Sequence, residues 1–232
     1  MDGGASRQRD PGSASWAEIP RWGLPEDRGL RAQIADGSDK RRSEGYDILR
    51  TRMMAATAAR DWSTIGVTQA RAGKAAPLTA LNLALSEARL LSRRVVLVDL
   101  DIERQPVLVA LGIARSRDAV PQVAALPEWA LSDRLAVMGV TAPADQAATL
   151  LLDPAFQARL HARLAALSPD ITLLHLPPML TGDAGLAGVG WAQAVLLTIN
   201  GRADTAAGLR DCEARIGDAC PILGLFHYDA EV

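Results

Sequence analysis

Strand-length apolar runs alternating with helix-length amphipathic stretches predict an α/β domain, a doubly wound and mostly parallel sheet with helices on both faces, three layers deep. Three observations carry that expectation. Val95-Val-Leu-Val98 is a β-branched run closed by Asp99, as a strand buried on both faces requires. Ser63-Thr-Ile-Gly-Val-Thr68 runs into a short loop and then a helical pattern, the order of a parallel crossover. Ile171 to Leu176 is another buried run, and it stops at Pro177-Pro178.

Residues 1–42 are rich in Gly, Pro, Asp and Arg and keep no helical or strand period, so they are expected to form a largely disordered N-terminal arm. Trp16, Ile19, Trp22 and Leu24 stand out within it, as a docking motif or as a tail folded back on its own domain. The domain proper is expected over 43–232. Ser43 can cap a helix through Tyr46, Leu49, Arg50, Met53 and Met54. After the strand at 63–68 comes a loop from Gln69 to Ala76, and Pro77 suits the first helical position. Leu78, Leu81, Leu85 and Ala88 then recur at helical spacing. Asp153-Pro154 caps a helix carrying Phe156, Leu160, Leu164 and Leu167. Ala194 to Ile199 and Ile222 to Phe226 supply two further strands around a helix from Ala206 to Ile216. In such sheets ligands bind beyond the carboxyl ends of the strands, where the loops after Thr68, Val98 and Leu176 converge.

Composition narrows the function. The chain has 232 residues, 49% hydrophobic, and a formal net charge of −2, which gives no basic surface for nucleic acid. No apolar run reaches the roughly 18 residues needed to span a bilayer, so direct membrane insertion is not expected. The first residues lack the apolar stretch of a secretory signal, and Cys212 and Cys220 suggest neither a disulfide framework nor a zinc site. A cytoplasmic protein is expected, peripheral on the inner membrane where a partner holds it there.

Five segments in order resemble the cytoplasmic domain of bacterial tyrosine kinases that serve capsule and exopolysaccharide assembly, and more distantly the MinD and ParA ATPases. They are Glu44-Gly-Tyr-Asp47-Ile-Leu-Arg50-Thr51, Thr68 through Gly73-Lys74 to Asn82-Leu-Ala84, and Arg94-Val-Val-Leu-Val-Asp99-Leu-Asp101. Asp170-Ile-Thr-Leu-Leu-His175-Leu-Pro177-Pro178 and Pro221-Ile-Leu-Gly224 complete the set, which covers roughly residues 43–228. The resemblance implies a P-loop NTPase-like fold whose loop reads Gly-x-Gly-Lys-Ser/Thr-Thr.

Anchored on Asn82-Leu83-Ala84, that loop puts Gly73 on the first glycine and Ala75 on the second. Ala76 then stands on the phosphate-binding lysine and Pro77 on the magnesium-binding serine. His175 takes the place of the aspartate that ends the family's second motif. A P-loop cradles phosphates with backbone N–H groups, a lysine and a hydroxyl-bound Mg²⁺. Alanine brings no charge, proline neither hydroxyl nor N–H, and imidazole suits a hard oxygen-seeking cation poorly. Each charge-assisted hydrogen bond lost is worth about 1.5–3 kcal/mol. Gly73, Lys74, Ala76, Pro77, Asp99, Asp101 and His175 are therefore read as the remnant of a nucleotide site, with no catalytic residue, no metal ligand and no cofactor expected.

Asp99 and Asp101 are expected to satisfy strand-end and helix-cap N–H groups. Lys74 with Arg71 could form a rebuilt anion site, and ATP with Mg²⁺ belongs only to that alternative. The family's ring-forming segment corresponds to Glu44, Asp47 and Arg50, whose swapped central charge leaves Glu44 and Arg50 as candidate contacts to a partner or in a homo-oligomer. The functional expectation is a non-catalytic adapter in envelope polysaccharide (exopolysaccharide, capsule or holdfast) biosynthesis and export, acting with a transmembrane co-polymerase or chain-length protein. The alternatives are a divergent ATPase or protein-tyrosine kinase of the same pathway, and a MinD- or ParA-like positioning protein.

Overall fold

In the computed structural model, residues 14–113 and 125–228 are described. They form a seven-stranded sheet: β1 (Thr64–Gln69), β2 (Val95–Asp99), β3 (Glu128–Ser132), β4 (Leu135–Met138), β5 (Ile171–His175), β6 (Ala194–Asn200) and β7 (Ile222–Tyr228). The spatial order is β3-β4-β2-β5-β1-β6-β7, with β3 antiparallel to β4 and every other pair parallel. The helices are α1 (Ala14–Ala17), α2 (Arg28–Arg31), α3 (Lys40–Ala58), α4 (Ala75–Ala88), α5 (Pro106–Ala110), α6 (Ala147–Leu152), α7 (Pro154–Leu167), α8 (Ala184–Val189) and α9 (Ala206–Ile216). No helix among the described residues is long and apolar enough to cross a membrane.

The period-two side-chain alternation of a strand divides the core into two layers. Val96 and Val98 face one layer with Leu174, Val195, Phe156 and Leu160, covered by α6, α7, α8 and α9. Val95 and Leu97 face the other, with Val67, Leu81, Leu83 and Leu196. Helix α4 is buried along nearly its whole length and packs on the central strands of that second layer. This burial from both sides is why the central strands read as unbroken apolar runs. Cys212 and Cys220 are buried free thiols, and burial pushes the Cys212 thiol up to about 12.

Residues 14–42 are not a disordered arm. Trp16 and Ile19 are buried, and the Trp16 indole N–H donates to the carbonyl of Leu167 at 2.7 Å. Arg21 bridges to Ala130, where the Ala130 N–H reaches Pro20 and the Trp22 N–H reaches Ala130, so this segment extends the sheet beyond β3. Ile34 and Ala35 lie under α4, and the Asn82 side chain ties them there by accepting from the Ala35 N–H at 2.7 Å and donating to Gln33. Irregular spacing hides such a segment from any periodicity, since its apolar residues fill slots made by the domain. Residues 1–13 lie outside the described residues.

Two caps also differ from expectation. Helix α3 begins at Lys40, because Asp39 accepts from the Arg42 N–H, and Ser43 sits buried inside it, its hydroxyl accepting from the Gly37 N–H. Helix α4 begins at Ala75 rather than Pro77. Proline is still harmless there, since the first four helical N–H groups have no acceptor within the helix.

Candidate functional site

Strand β5 lies between β1 and β2, and its terminal His175 is in register with Val67 on one side and Asp99 on the other. The ends of these three strands and the start of α4 therefore form one crevice at the carboxyl edge of the sheet. Backbone bonds strap it together. The Met179 N–H donates to Gln69, the Leu180 N–H to Ala70 and the Leu100 N–H to His175.

The loop from β1 to α4 is organised by Gln69, the residue that the sequence did not single out as functional. Its side-chain amide N–H donates to the Gly73 carbonyl at 2.8 Å, and its amide oxygen accepts the Ala76 backbone N–H at 2.8 Å. Gln69 is itself buried. The first-turn N–H of α4 that would face a ligand at a helix N-terminus is thus occupied by a side chain of the same chain. Ala76 is fully buried in the apolar core, Pro77 is buried and contributes no N–H, and Gly73 packs its open face on the Gln69 amide. A side-chain amide closing a buried strand, four residues before a glycine, was the one available signal.

Lys74 and Arg71 are exposed. Lys74 caps α4 by position alone, with no hydrogen bond from its side chain. No ion pair joins either residue to Asp99 or Asp101 among the described residues.

The opposite wall is a buried polar cluster. Asp99, with no exposed surface, accepts the Val107 N–H at the start of α5 at 2.9 Å and the Asp101 N–H at 3.2 Å. Nδ1 of His175 lies 2.8 Å from the Asp99 carboxylate. An N–H at Nδ1 donating to Asp99 is the arrangement that an ionised carboxylate requires. Asp101 is paired with Arg104, whose Nε donates at 3.0 Å. Burial raises the Asp101 pKa above the usual carboxylate value, against the opposing pull of His175, with the Asp99 charge adding to the rise.

The residues of the strand-end crevice are thus brought together. Glu44 and Arg50 lie elsewhere, on α3. Glu44 is exposed. Arg50 is spent inside the chain, its guanidinium donating to Asp47 at 3.0 Å and to the Ser86 carbonyl at 2.8 Å. Burial works to raise the Asp47 pKa, but the Ser86 hydroxyl with Arg89 and Arg50 outweighs it and holds the carboxyl below its usual value.

No family model and no curated protein matches the sequence. Solved structures match the fold. The kinase domain of VpsO aligns with TM-score 0.64 at 18% identity, over 83% of this chain and 98% of that one. The chimerical protein CapA2B2 aligns with TM-score 0.69 at 16% identity, over 95% and 98%. The kinase domain of the Escherichia coli tyrosine kinase ETK aligns with TM-score 0.66 at 15% identity, over 91% of each chain. The chain therefore has the P-loop fold of bacterial tyrosine-kinase domains, a three-layer α/β/α sandwich.

Proposed function

We propose that this chain is a non-catalytic adapter in envelope polysaccharide assembly or export, held at the cytoplasmic face of the inner membrane by a transmembrane co-polymerase. The pathway is supported by the fold shared with bacterial tyrosine-kinase domains and by the five collinear segments that resemble them. The loss of catalysis is supported by one observation above all, the Gln69 amide seated in the loop where a phosphate would lie.

A magnesium-bound triphosphate does not fit the residues present. Entry of a phosphate would have to displace the Gln69 oxygen from the Ala76 N–H, with no lysine at Ala76 and no hydroxyl at Pro77 to offset the loss. At the other wall the Asp99 carboxylate is already shared among two backbone N–H groups and His175. The site then serves as a satisfied structural core, and the activity left to the protein is binding to other proteins.

Two measurements test this. Titration calorimetry with ATP and Mg²⁺ is expected to show no saturable heat up to millimolar nucleotide, and micromolar binding would overturn the loss of catalysis. Affinity capture of the full chain from detergent-solubilised membranes is expected to recover a polysaccharide co-polymerase, and its absence would overturn the assigned pathway.

A further inference from the structure

We propose that the corner of the sheet's carboxyl edge where α3 and α4 begin is a docking surface for an anionic lipid bilayer. The two helices run side by side in the same direction. Tyr46 lies against Thr79 and Asn82, and one turn further along α3 Arg50 donates to Ser86. Lys40 stands six residues before Tyr46 and Ala75 four before Thr79, so at about 1.5 Å per residue the two first turns reach nearly the same height. Helix α4 starts where the loop after β1 ends, which sets that height at the carboxyl edge.

Five cations gather there. Lys40, Arg41 and Arg42 open α3, and Arg71 and Lys74 stand in the loop that leads to α4; all five are exposed. The side chains of Lys40, Arg41, Arg71 and Lys74 have no hydrogen bond or ion pair among the described residues. Arg42 reaches Asp39 only at 3.9 Å, and both of those side chains are largely open to solvent. Asp39 and Glu44 are the exposed acids beside this group. The net charge of −2 over the whole chain conceals the separation.

The position of these cations is a second observation. The N-terminus of a helix carries a partial positive charge and is stabilised by acids in its first turn. Neither first turn holds one, since α3 opens on three cations and Lys74 is the cap of α4. Charges of one sign accumulate where the fold would gain from the other, and an external anionic surface relieves that repulsion. A single phosphate needs donors fixed around it. These side chains are long, exposed and not held in place, which suits a diffuse layer of headgroups. Each cation close to an anionic leaflet is worth about fivefold in partition, so five cations against two acids give on the order of a hundredfold. The surface needs no partner protein and so goes beyond the adapter reading; lipid binding and co-polymerase capture stand or fail separately.

Co-sedimentation of the full chain with vesicles tests the surface. At about 50 mM salt, phosphatidylcholine vesicles containing about 30% phosphatidylglycerol should retain at least about tenfold more protein than pure phosphatidylcholine, and about 0.5 M salt should abolish the difference. Arg41→Glu and Lys74→Glu should each cut binding at least about fivefold, with melting temperatures within about 3 °C of the wild type. Arg210→Glu makes the same charge change at an exposed position on α9 and should leave binding within about twofold. Equal retention on both kinds of vesicle overturns the proposal, as does indifference to Arg41→Glu and Lys74→Glu. An Arg210→Glu loss as large as theirs overturns it too, because net charge alone would then explain the binding. Competition by inorganic phosphate at matched ionic strength would reveal a discrete anion pocket instead, and equally tight binding of duplex DNA would reassign the surface to nucleic acid; either result overturns the proposal.

Discussion

The carboxyl ends of β1, β5 and β2 and the outer face of α3 are both rich in polar side chains, yet they treat them in opposite ways. In the crevice the Gln69 amide, Asp99, Asp101 and His175 are each answered by a partner from the same chain. On α3 an acid, a base and an isoleucine stand exposed, and the charged pair has no hydrogen bond or ion pair among the described residues. The difference matters energetically. A ligand entering a satisfied crevice exchanges one set of hydrogen bonds for another and gains little, whereas a partner at an unanswered surface removes apolar area from water and completes ion pairs.

The largest way to break that contrast is to empty the crevice and restore its chemistry. The combined change Gln69→Ser, Ala76→Lys, Pro77→Ser and His175→Asp frees the Ala76-position N–H and supplies the cation, the hydroxyl and the carboxylate. Calorimetry should then show ATP–Mg²⁺ binding at least about a thousandfold tighter than in the wild type, which corresponds to roughly 4 kcal/mol. Next in size is His175→Ala. It leaves the buried Asp99 carboxylate short of one of its three partners, and urea unfolding at neutral pH should show a loss of about 2–3 kcal/mol. A loss below about 0.5 kcal/mol would mean that the pair contributes nothing to the internal satisfaction of the crevice.

How much of this contrast was legible in the sequence depends on the physics of each part. The central strands and α9 are placed within a residue or two of their expected bounds, because burial on both faces leaves a run that little else imitates. Strands β3 and β4 went unread. They form a short hairpin near the sheet edge, with Glu128 tied by its carboxylate to Arg163 of α7, and their mixed composition carries no clean alternation. The small α8, AGLAGV, was hidden by its glycines; Gly185 packs so close to the Pro178 carbonyl that a Cβ would lie 2.7 Å from it. Residues 14–42 are held by single anchors, Trp16 on Leu167 and Asn82 on Ala35, and long-range contacts of that kind leave no local pattern. In the crevice the motif positions could be aligned, but the Gln69 amide could not be seen filling the loop, because its two partners become neighbours only once the strand and helix are packed.

Helix α4 joins the two regions, its first turn in the crevice and its last turns against α3, and it carries a group that belongs to neither. Glu87 is fully buried, and neither of its carboxylate oxygens accepts a hydrogen bond among the described residues, although Arg93 approaches to 3.1 Å. Burial raises its pKa above 4.5, opposed by Arg93 and Arg50. The folded state therefore holds this proton more tightly than the unfolded state does, and Glu87 costs stability progressively as pH rises from 4.5 through the raised folded value. Glu87→Gln removes that slope. Unfolding measured across pH should show the variant gaining on the wild type over that window and keeping the advantage above it, with the two converging below pH 4.5. A wild type whose stability instead rises through the window would mean that Arg93 satisfies the carboxylate, and α4 would then carry no strained group between the two regions.

The smallest effects give the sharpest comparison, because they separate two arginines two residues apart on one helix. Arg50 is mostly covered and donates to Asp47 and Ser86, fastening α3 to α4, while Arg52 is exposed and fastens nothing among the described residues. Arg50→Ala should lower unfolding stability, measured in urea, by about 1–2 kcal/mol, since it strips hydrogen bonds from the buried Ser86 and the partly exposed Asp47. Arg52→Ala should change stability by less than about 0.5 kcal/mol in the same measurement, as expected of an exposed side chain with no partner among the described residues. If the two variants instead lowered stability equally, the inner and outer faces of α3 would not be separable, and the division between a self-satisfied interior and an unanswered surface would not hold along this helix.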